Sequence, residues 1–529
     1  MGTLVEEKMN FSHVQLELHL IRMIAYDEIK SRTTLATLIP RLFDTTGDRH
    51  RLGQEVQPQI GALTLSCDTG VIGVRNFERM CSALRLCQTT RKLSLDLSIS
   101  PTAPYTSKIW WKWLAYSLFS KRARSYSTID SVALILEEKV TVADMDALCA
   151  VLGSDFPEEE LLGCSGGQVG GREATLEANT PIKWQMTKQG TPRSASKELR
   201  FSFPIPFVRT LRDDGASGWV DVIIPGLAWC QVQRSCLRFS VCEPQTLSSN
   251  NITSLSITFR TKVTSNAASL VRFLGAIGTT LKHLTIDGGG LEVDENVVLE
   301  KCPNLCTLSL RGKWFDAELD FSHYRGVGEA IPSIKCYQLD VRTLAGILGD
   351  NDEPLTKCLH RLRVHHERNK LTASALLQML TTNETLAFLE IGGYLKMSNF
   401  DEFRQHHLEP IKRTRNISKE SKLAFLSVLS SHQTDGQAKK RAYRSARIDG
   451  VMWNLDQYVL SKIFAFAGPP ILRQVFCKID HTYVQQQDVV NYYSQSDSED
   501  DWDGFYLEFH RRPRSWEPYT FAHGLASVE

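Results

Sequence analysis

The sequence predicts an α/β chain wound as a solenoid, with parallel strands on a concave face and helices outside. Three observations predict it. The phrase apolar-x-x-apolar-x-apolar occurs six times between residues 252 and 391. Its successive offsets are 29, 24, 29, 25 and 27 residues, a period that belongs to whole structural units stacked on one another. Helical spacing of apolar residues falls in the intervals, as in Leu270, Phe273, Leu274 and Ile277.

The phrases are Ile252/Leu255/Ile257, Leu281/Leu284/Ile286, Leu305/Leu308/Leu310, Ile334/Tyr337/Leu339, Leu359/Leu362/Val364 and Leu386/Leu389/Ile391. Their last two apolar residues are separated by one and point to the same side of an extended strand. The first apolar residue turns the chain into that strand. To start the next strand in the same direction, the chain must return to the same end of the sheet, and a helix accomplishes that. Leu376, Leu377 and Leu380 supply such a helix before Thr381-Thr382-Asn383, a plausible stop. In the N-terminal half, Ile60/Leu63/Leu65 and Ile129/Val132/Leu134 fit the phrase, and Leu93 and Leu95 fit with Thr90 in front. Between them lie two helical faces, Phe77/Met80/Cys81/Leu84 and Ile109/Trp110/Trp113/Leu114/Leu118. Aromatic residues at that spacing read as core, with Trp110 or Trp111 in a binding groove as the alternative.

The stretches Leu380-Thr-Thr-Asn-Glu-Thr-Leu386-Ala-Phe-Leu389-Glu-Ile391 and Gly278-Thr-Thr-Leu281-Lys-His-Leu284-Thr-Ile286 each join a helix end, a polar turn and a strand. They resemble leucine-rich repeats of the longer, ribonuclease-inhibitor-like class. The resemblance is clearest over residues 250–395 and extends more weakly to 55–155. It implies a protein-binding solenoid. One family feature is missing: the Asn or Cys three positions after the last strand residue is replaced by Arg260, Gly289, Lys313, Arg342, Glu367 and Tyr394. Those side chains ordinarily satisfy backbone groups along the turn, so an irregular array is expected.

The remaining boundaries follow from composition. Residues 1–54 read as an N-terminal helical cap, 55–153 as degenerate repeats and 199–425 as the main solenoid. Between them, 154–198 is rich in Glu, Gly and Ser and reads as a flexible insertion. Residues 426–450 form a basic linker carrying Lys439, Lys440, Arg441, Arg444 and Arg447, a solvated run or a nuclear-import signal. Residues 481–529 read as an acidic, aromatic, partly disordered tail, with Ser496 and Ser498 set among acids as phosphorylation candidates.

Residues 451–480 read as a small helical hairpin. Leu455, Val459, Ile463 and Phe466 share one helical face, Gly468-Pro469-Pro470 stops it, and Pro470 can open a second helix bearing Leu472, Val475 and Phe476. The segment resembles the first half of an F-box. That resemblance implies docking of Leu455, Val459, Leu460, Ile463, Phe464 and Phe466 on a Skp1-type adaptor of a cullin-type ubiquitin ligase. Asp456, Tyr458 and Ala467 depart from the family pattern. The other reading is a cap on the open end of the solenoid, which such arrays need.

Composition bounds the function. Hydrophobic residues make up 42%, charged residues 23%, and the formal net charge is +1, which excludes a dedicated nucleic-acid or polybasic membrane binder. No run of 18 apolar residues is present, and Val14–Ile24 lacks the form of a signal peptide. The 13 cysteines include no Cys-x-x-Cys pair and read as buried free thiols of a reducing, cytoplasmic environment. No catalytic motif has its required context. Gly163-Cys-Ser165-Gly-Gly167 matches Gly-x-Ser-x-Gly, yet Glu158–Glu160 precede it where a buried strand is needed; a serine hydrolase is the remote alternative. His365-His366 and His406-His407 lack the spacing of a helical metal site. No cofactor or metal is expected. The expected function is non-enzymatic protein binding, through the strand residues that point away from the core: Ser256, Thr285, Ser309, Gln338, Arg363 and Glu390.

Overall fold

The computed structural model describes residues 15–19, 60–424 and 463–478 apart from short intervening stretches, the longest being 322–338. Readings made for residues 20–59, 425–462 and 479–529 lie outside the described residues.

The apolar phrases become strands, and their spacing becomes register. The strands are Gln15–His19 (β1), Ile60–Asp68 (β2), Thr90–Ser98 (β3) and Ser131–Leu136 (β4) in the N-terminal half. After them come eight strands of other sheets, Glu173–Leu176 (β5), Ile182–Trp184 (β6), Met186–Lys188 (β7), Thr191–Arg193 (β8), Ile205–Leu211 (β9), Trp219–Ile224 (β10), Ala228–Gln233 (β11) and Leu237–Phe239 (β12). The repeats resume with Ser254–Phe259 (β13), His283–Asp287 (β14), Thr307–Arg311 (β15), Phe315–Asp320 (β16), Leu359–Val364 (β17) and Phe388–Gly392 (β18). Pro410–Thr414 (β19), Pro470–Leu472 (β20) and Gln474–Lys478 (β21) follow.

One 11-stranded sheet runs in the order β1-β2-β3-β4-β13-β14-β15-β16-β17-β18-β21. The N-terminal phrases are therefore continuous with the later ones. Leu63, Leu93, Val132, Leu255, Leu284 and Leu308 lie opposite one another in turn across six parallel strands, and so do Leu65, Leu95, Leu134, Ile257, Ile286 and Leu310. All twelve are buried. The second residue of each phrase forms the rim. The Asp130 carbonyl accepts from Thr253 N and Ser254 N at 2.8 and 3.1 Å, that of Thr253 from Lys282 N and His283 N at 2.8 and 2.9 Å, and that of Lys282 from Cys306 N and Thr307 N at 2.7 and 3.0 Å. The turns into the strands are satisfied by side chains: Thr280 Oγ1 donates to Ile252 O (2.9 Å), Asn304 Nδ2 to Thr279 O (2.7 Å) and Thr385 Oγ1 to Thr356 O (2.6 Å). These two threonines and one asparagine satisfy backbone carbonyls where the chain enters β14, β15 and β18.

Helices return the chain and cover the inward face. They are Thr69–Leu84 (α1), Pro104–Leu114 (α2), Lys121–Tyr126 (α3), Val142–Gly153 (α4), Pro157–Leu161 (α5), Ala267–Ile277 (α6), Glu295–Lys301 (α7), Val341–Leu348 (α8), Pro354–Cys358 (α9), Lys370–Thr382 (α10) and Met397–Gln405 (α11). Neighbours pack in chain order: α1 on α2, α2 on α4, α4 on α6, α6 on α7 and α8 on α10. Trp110 and Trp111 are both buried in this layer, Trp110 against Phe77 at 3.8 Å between ring centroids. A Cβ on Gly278, between α6 and β14, would stand 2.5 Å from the Lys301 carbonyl oxygen, so only glycine fits that turn.

The structure differs from expectation at four places. Residues 15–19, read as part of a helical cap, are a strand paired parallel to β2. The place between Leu305–Leu310 and Leu359–Val364, expected for Ile334/Tyr337/Leu339, is filled by β16, which runs antiparallel to both β15 and β17, so the sheet is mostly rather than wholly parallel; Ile334 and Tyr337 lie outside the described residues. Part of the stretch read as a flexible insertion carries α5 and the strands β5 to β8. A six-stranded antiparallel sheet, β12-β5-β9-β10-β11-β6, spans residues 173–239 and has its own buried core of Leu176, Ile182, Val208, Val222, Cys230 and Val232. It is seated on the helix layer by buried polar contacts. Arg79 Nε donates to Gly226 O at 3.1 Å, Arg85 Nη2 to Phe207 O at 2.8 Å, and Glu158 on α5 lies 3.6 Å from Arg209 on β9.

The fourth difference is the helical hairpin expected at 451–480. Residues 470–478, assigned to its second helix, are extended. β21 adds to the sheet parallel to β18, with Val475 opposite Leu389 and Cys477 opposite Ile391. Arg473 explains the conformation. It is 3% exposed, and its guanidinium donates to Leu380 O (2.9 Å), Leu386 O (3.3 Å) and Asn383 O at the end of α10, where helix carbonyls lack intrahelical partners.

Two substitutions test this architecture. Leu308→Asp forfeits about 1.5–3 kcal/mol of side-chain burial before the cost of a buried carboxylate is added; a melting temperature equal to wild type would remove Leu308 from the core. Arg473→Ala leaves three carbonyls short of their donor and is expected to cost about 2 kcal/mol in urea unfolding. An unchanged midpoint would mean that β21 is held by strand pairing alone.

Candidate functional site

Residues that alternate with the inward leucines occupy the other face of the long sheet. Cross-strand pairing sorts them into rows. One row passes through Thr64, Ser94, Ala133, Ser256, Thr285, Ser309, Glu318, Arg361 and Phe388. The next passes through Asp96, Ile135, Thr258, Asp287, Arg311, Asp316, Arg363, Glu390 and Phe476. Ser256, Thr285 and Ser309, expected as contact residues, are thus direct neighbours. Arg363 and Glu390 are neighbours too, with Arg363 Nε 3.1 Å from Glu390 Oε1. Gln338 lies outside the described residues, and between β15 and β17 it is Glu318 that continues the first row.

The face divides into two halves of different chemistry. From β3 to β14 its middle carries small, half-exposed side chains, Ser94, Ala133, Ser256, Thr258 and Thr285, with the acids Asp96 and Asp287 at its margins. Arg260, directly after β13, reaches across to Asp96 with a 2.7 Å hydrogen bond. From β15 onward the face is densely charged and more deeply covered. Asp316 is fully buried, with His365 Nε2 at 2.9 Å and Arg363 Nη1 at 3.7 Å. Arg311 lies 3.9 Å from Asp287, and the Arg361 guanidinium sits 4.5 Å from the Phe388 ring centroid. Burial pushes the Glu318 carboxyl above the usual carboxylate range. Arg361 and Arg311 pull it back, and Asp320 pushes it further. Burial likewise lowers Arg361. Ser309 and Glu390 are buried, at 8% and 7% exposure, and half-buried Arg363 is held between Asp316 and Glu390, whereas Ser256 and Thr285 are half-exposed.

Sequence reasoning missed Asp316, Glu318 and Arg361, and weighed His365 only as a metal ligand. The signal for the first two was present: Phe315-Asp-Ala-Glu-Leu-Asp320 alternates apolar and acidic residues without exception. Of the expected adaptor-docking residues, Ile463 and Phe464 are described, in a short helical turn and half-buried; Leu455, Val459, Leu460 and Phe466 lie outside the described residues.

The other chemical candidates resolve into structural contacts or lie outside. His365 pairs with Asp316, His406 Nδ1 lies 3.0 Å from Glu409, and His407 Nδ1 accepts from Val475 N at 3.1 Å. Ser165 and its glycines lie outside the described residues. Among the described residues, no three His, Cys, Asp or Glu side chains converge as a metal site, and no helix is long and apolar enough to cross a membrane. The described cysteines are free thiols; burial pushes Cys302 and Cys477 up to about 11. Comparison with family models, curated proteins and solved structures found no match.

The elevated Glu318 pKa has a pH signature. A carboxyl whose folded pKa exceeds its unfolded value contributes stability at low pH, and that contribution is lost as pH rises through the folded value. Glu318→Gln cannot ionise. Its melting temperature relative to wild type is therefore expected to rise from about pH 4 to about pH 7. A difference that stays constant over that range would contradict the assignment.

Proposed function

We propose that the chain is a non-enzymatic protein-interaction module: a degenerate solenoid of ribonuclease-inhibitor-like leucine-rich repeats that holds a protein partner on the open face of its sheet. The observation that carries this reading is the division of that face. Its charged half is occupied by internal ion pairs, whereas the other half leaves Ser256 and Thr285 half-exposed near Ser94 and Thr258, with its acids Asp96 and Asp287 held by Arg260 and Arg311. Such a surface offers hydroxyl donors and acceptors at about 4.8 Å spacing across adjacent strands. The free thiols support a reducing, cytoplasmic setting. No cofactor enters the proposal. The ligase-adaptor reading needs a second helix where residues 470–478 form strands, so the module is proposed without that arm.

The test is a comparison of two surface variants as bait against wild type, read by quantitative mass spectrometry. Ser256→Arg with Thr285→Arg places two long cations on the open face and leaves every inward leucine in place. Lys301→Glu alters the helix side instead. The expected result is that proteins captured by wild type are lost by the first variant and kept by the second, with both melting like wild type. Equal capture by both variants would exclude the open face.

A further inference from the structure

A polar cleft of about 580 Å³ opens at the rim where the chain enters β3, β4, β13 and β14. Its floor follows from the repeat. The residues one position before the paired Lys92, Ser131, Ser254 and His283 are Arg91, Asp130, Thr253 and Lys282, so these four stand side by side in strand order. Thr280 and Asn304, from the turns ahead of β14 and β15, line the same cleft. Thr280 Oγ1 and Asn304 Nδ2 donate inward to backbone carbonyls, which leaves their oxygens as acceptors toward the cleft. Arg91 and Lys282 are exposed, and among the described residues neither forms an ion pair.

The arrangement discriminates between ligands. Arg91 and Lys282 are three strand steps apart, about 14 Å at the backbone. Between them the Asp130 carboxylate repels a compact anion that both cations could otherwise share. An extended peptide advances about 3.4 Å per residue, so carboxylates four residues apart span the same about 14 Å. The intervening peptide N–H groups then meet the Asp130 carboxylate and the oxygens of Thr280 and Asn304. We propose that this cleft binds an extended acidic peptide segment of a partner, with acids at positions i and i+4 over Arg91 and Lys282 and no acid over Asp130. The inference rests on the protein-binding reading but uses a different surface, the strand-entry rim.

The test is fluorescence anisotropy with the full chain and a labelled peptide, Gly-Gly-Glu-Ser-Gly-Thr-Glu-Gly-Gly. Two control peptides carry Gln for both Glu, or the two Glu side by side. Wild type is expected to bind the first peptide and neither control. Arg91→Glu with Lys282→Glu, both at exposed positions, should weaken it about tenfold or more while melting like wild type. The reversed variant should in turn bind the peptide carrying Lys for both Glu, a rescue that a purely structural role for these residues would not produce. The proposal is overturned if wild type shows no binding up to about 1 mM, if charge reversal leaves binding unchanged, or if adjacent acids or inorganic phosphate bind equally well. Loss of this proposal with retained dependence of capture on Ser256 and Thr285 would leave the open-face reading standing; failure of both would remove protein binding by either surface.

Discussion

The inward rows of the long sheet are the constraint on which the rest of the molecule depends. A strand has a side-chain period of two, so a one-residue slip between any two neighbours would carry leucines to the open face and serines or acids into the core. Six successive strands keep Leu63, Leu93, Val132, Leu255, Leu284 and Leu308 in line. The pairing of β4 with β13 shows how strong that constraint is. Between them the chain leaves the sheet for residues 137–253, builds a second sheet, and returns to place Leu255 opposite Val132. The helix layer and the rim carbonyls of Asp130, Thr253 and Lys282 follow from that registration, because each connection must end where the next phrase begins.

The excursion is itself anchored by polar groups that are costly to bury. Arg79, Arg85, Arg209 and Glu158 are all nearly inaccessible, and each has a partner across the seam: Arg79 and Arg85 the Gly226 and Phe207 carbonyls of the antiparallel sheet, and Glu158 of the helix layer Arg209. Removing such a group would strand a buried charge, so the contacts specify one seating of the second sheet more than they stabilise it. Phe207 holds a positive φ of 57°, uncommon for a side chain of that size, and this turns its carbonyl to Arg85 while its ring packs on Tyr126 at 5.1 Å.

The parts of the fold legible in the sequence were those written as local period. The phrases at 60–65, 90–95, 129–134, 252–257, 281–286, 305–310, 359–364 and 386–391 all became strands of one sheet, and the Phe77 and Trp110 faces became core. Two strands were written in the same code and overlooked. Leu472, Val475 and Cys477 repeat the phrase, but they stand 86 residues beyond Leu386 and directly after Pro469-Pro470, which read as a helix start. Trp314, Ala317 and Leu319 also fit the phrase, but they follow Leu305 by only nine residues, outside the period, and the chain reverses direction through a hairpin. The alternation of Leu237 and Phe239 reads as a strand and is β12, but the antiparallel sheet as a whole was not legible, since strands such as β5 and β6 have three or four residues and gain their order from distant partners. The candidate site divides the same way. Which residues leave the core face follows from period two; how deeply they are covered does not. Ser309 and Glu390 are outward by parity and buried by company.

That company also explains why the two halves of one face differ. In the parallel stretch from β3 to β14, each residue meets its counterpart in the next repeat, and small hydroxyl residues recur at the same position: Ser94, Ser256, Thr285. Like charges at such a position would stack directly opposite one another and repel, so repetition favours neutral residues there. The antiparallel β16 breaks the repetition. It sets Asp316 opposite both Arg311 and Arg363, and Glu318 opposite Arg361, so opposite charges can alternate along the row and pair internally. Strand reversal at β16 thus accounts for the way Asp316 and Glu318 meet arginines on the neighbouring strands.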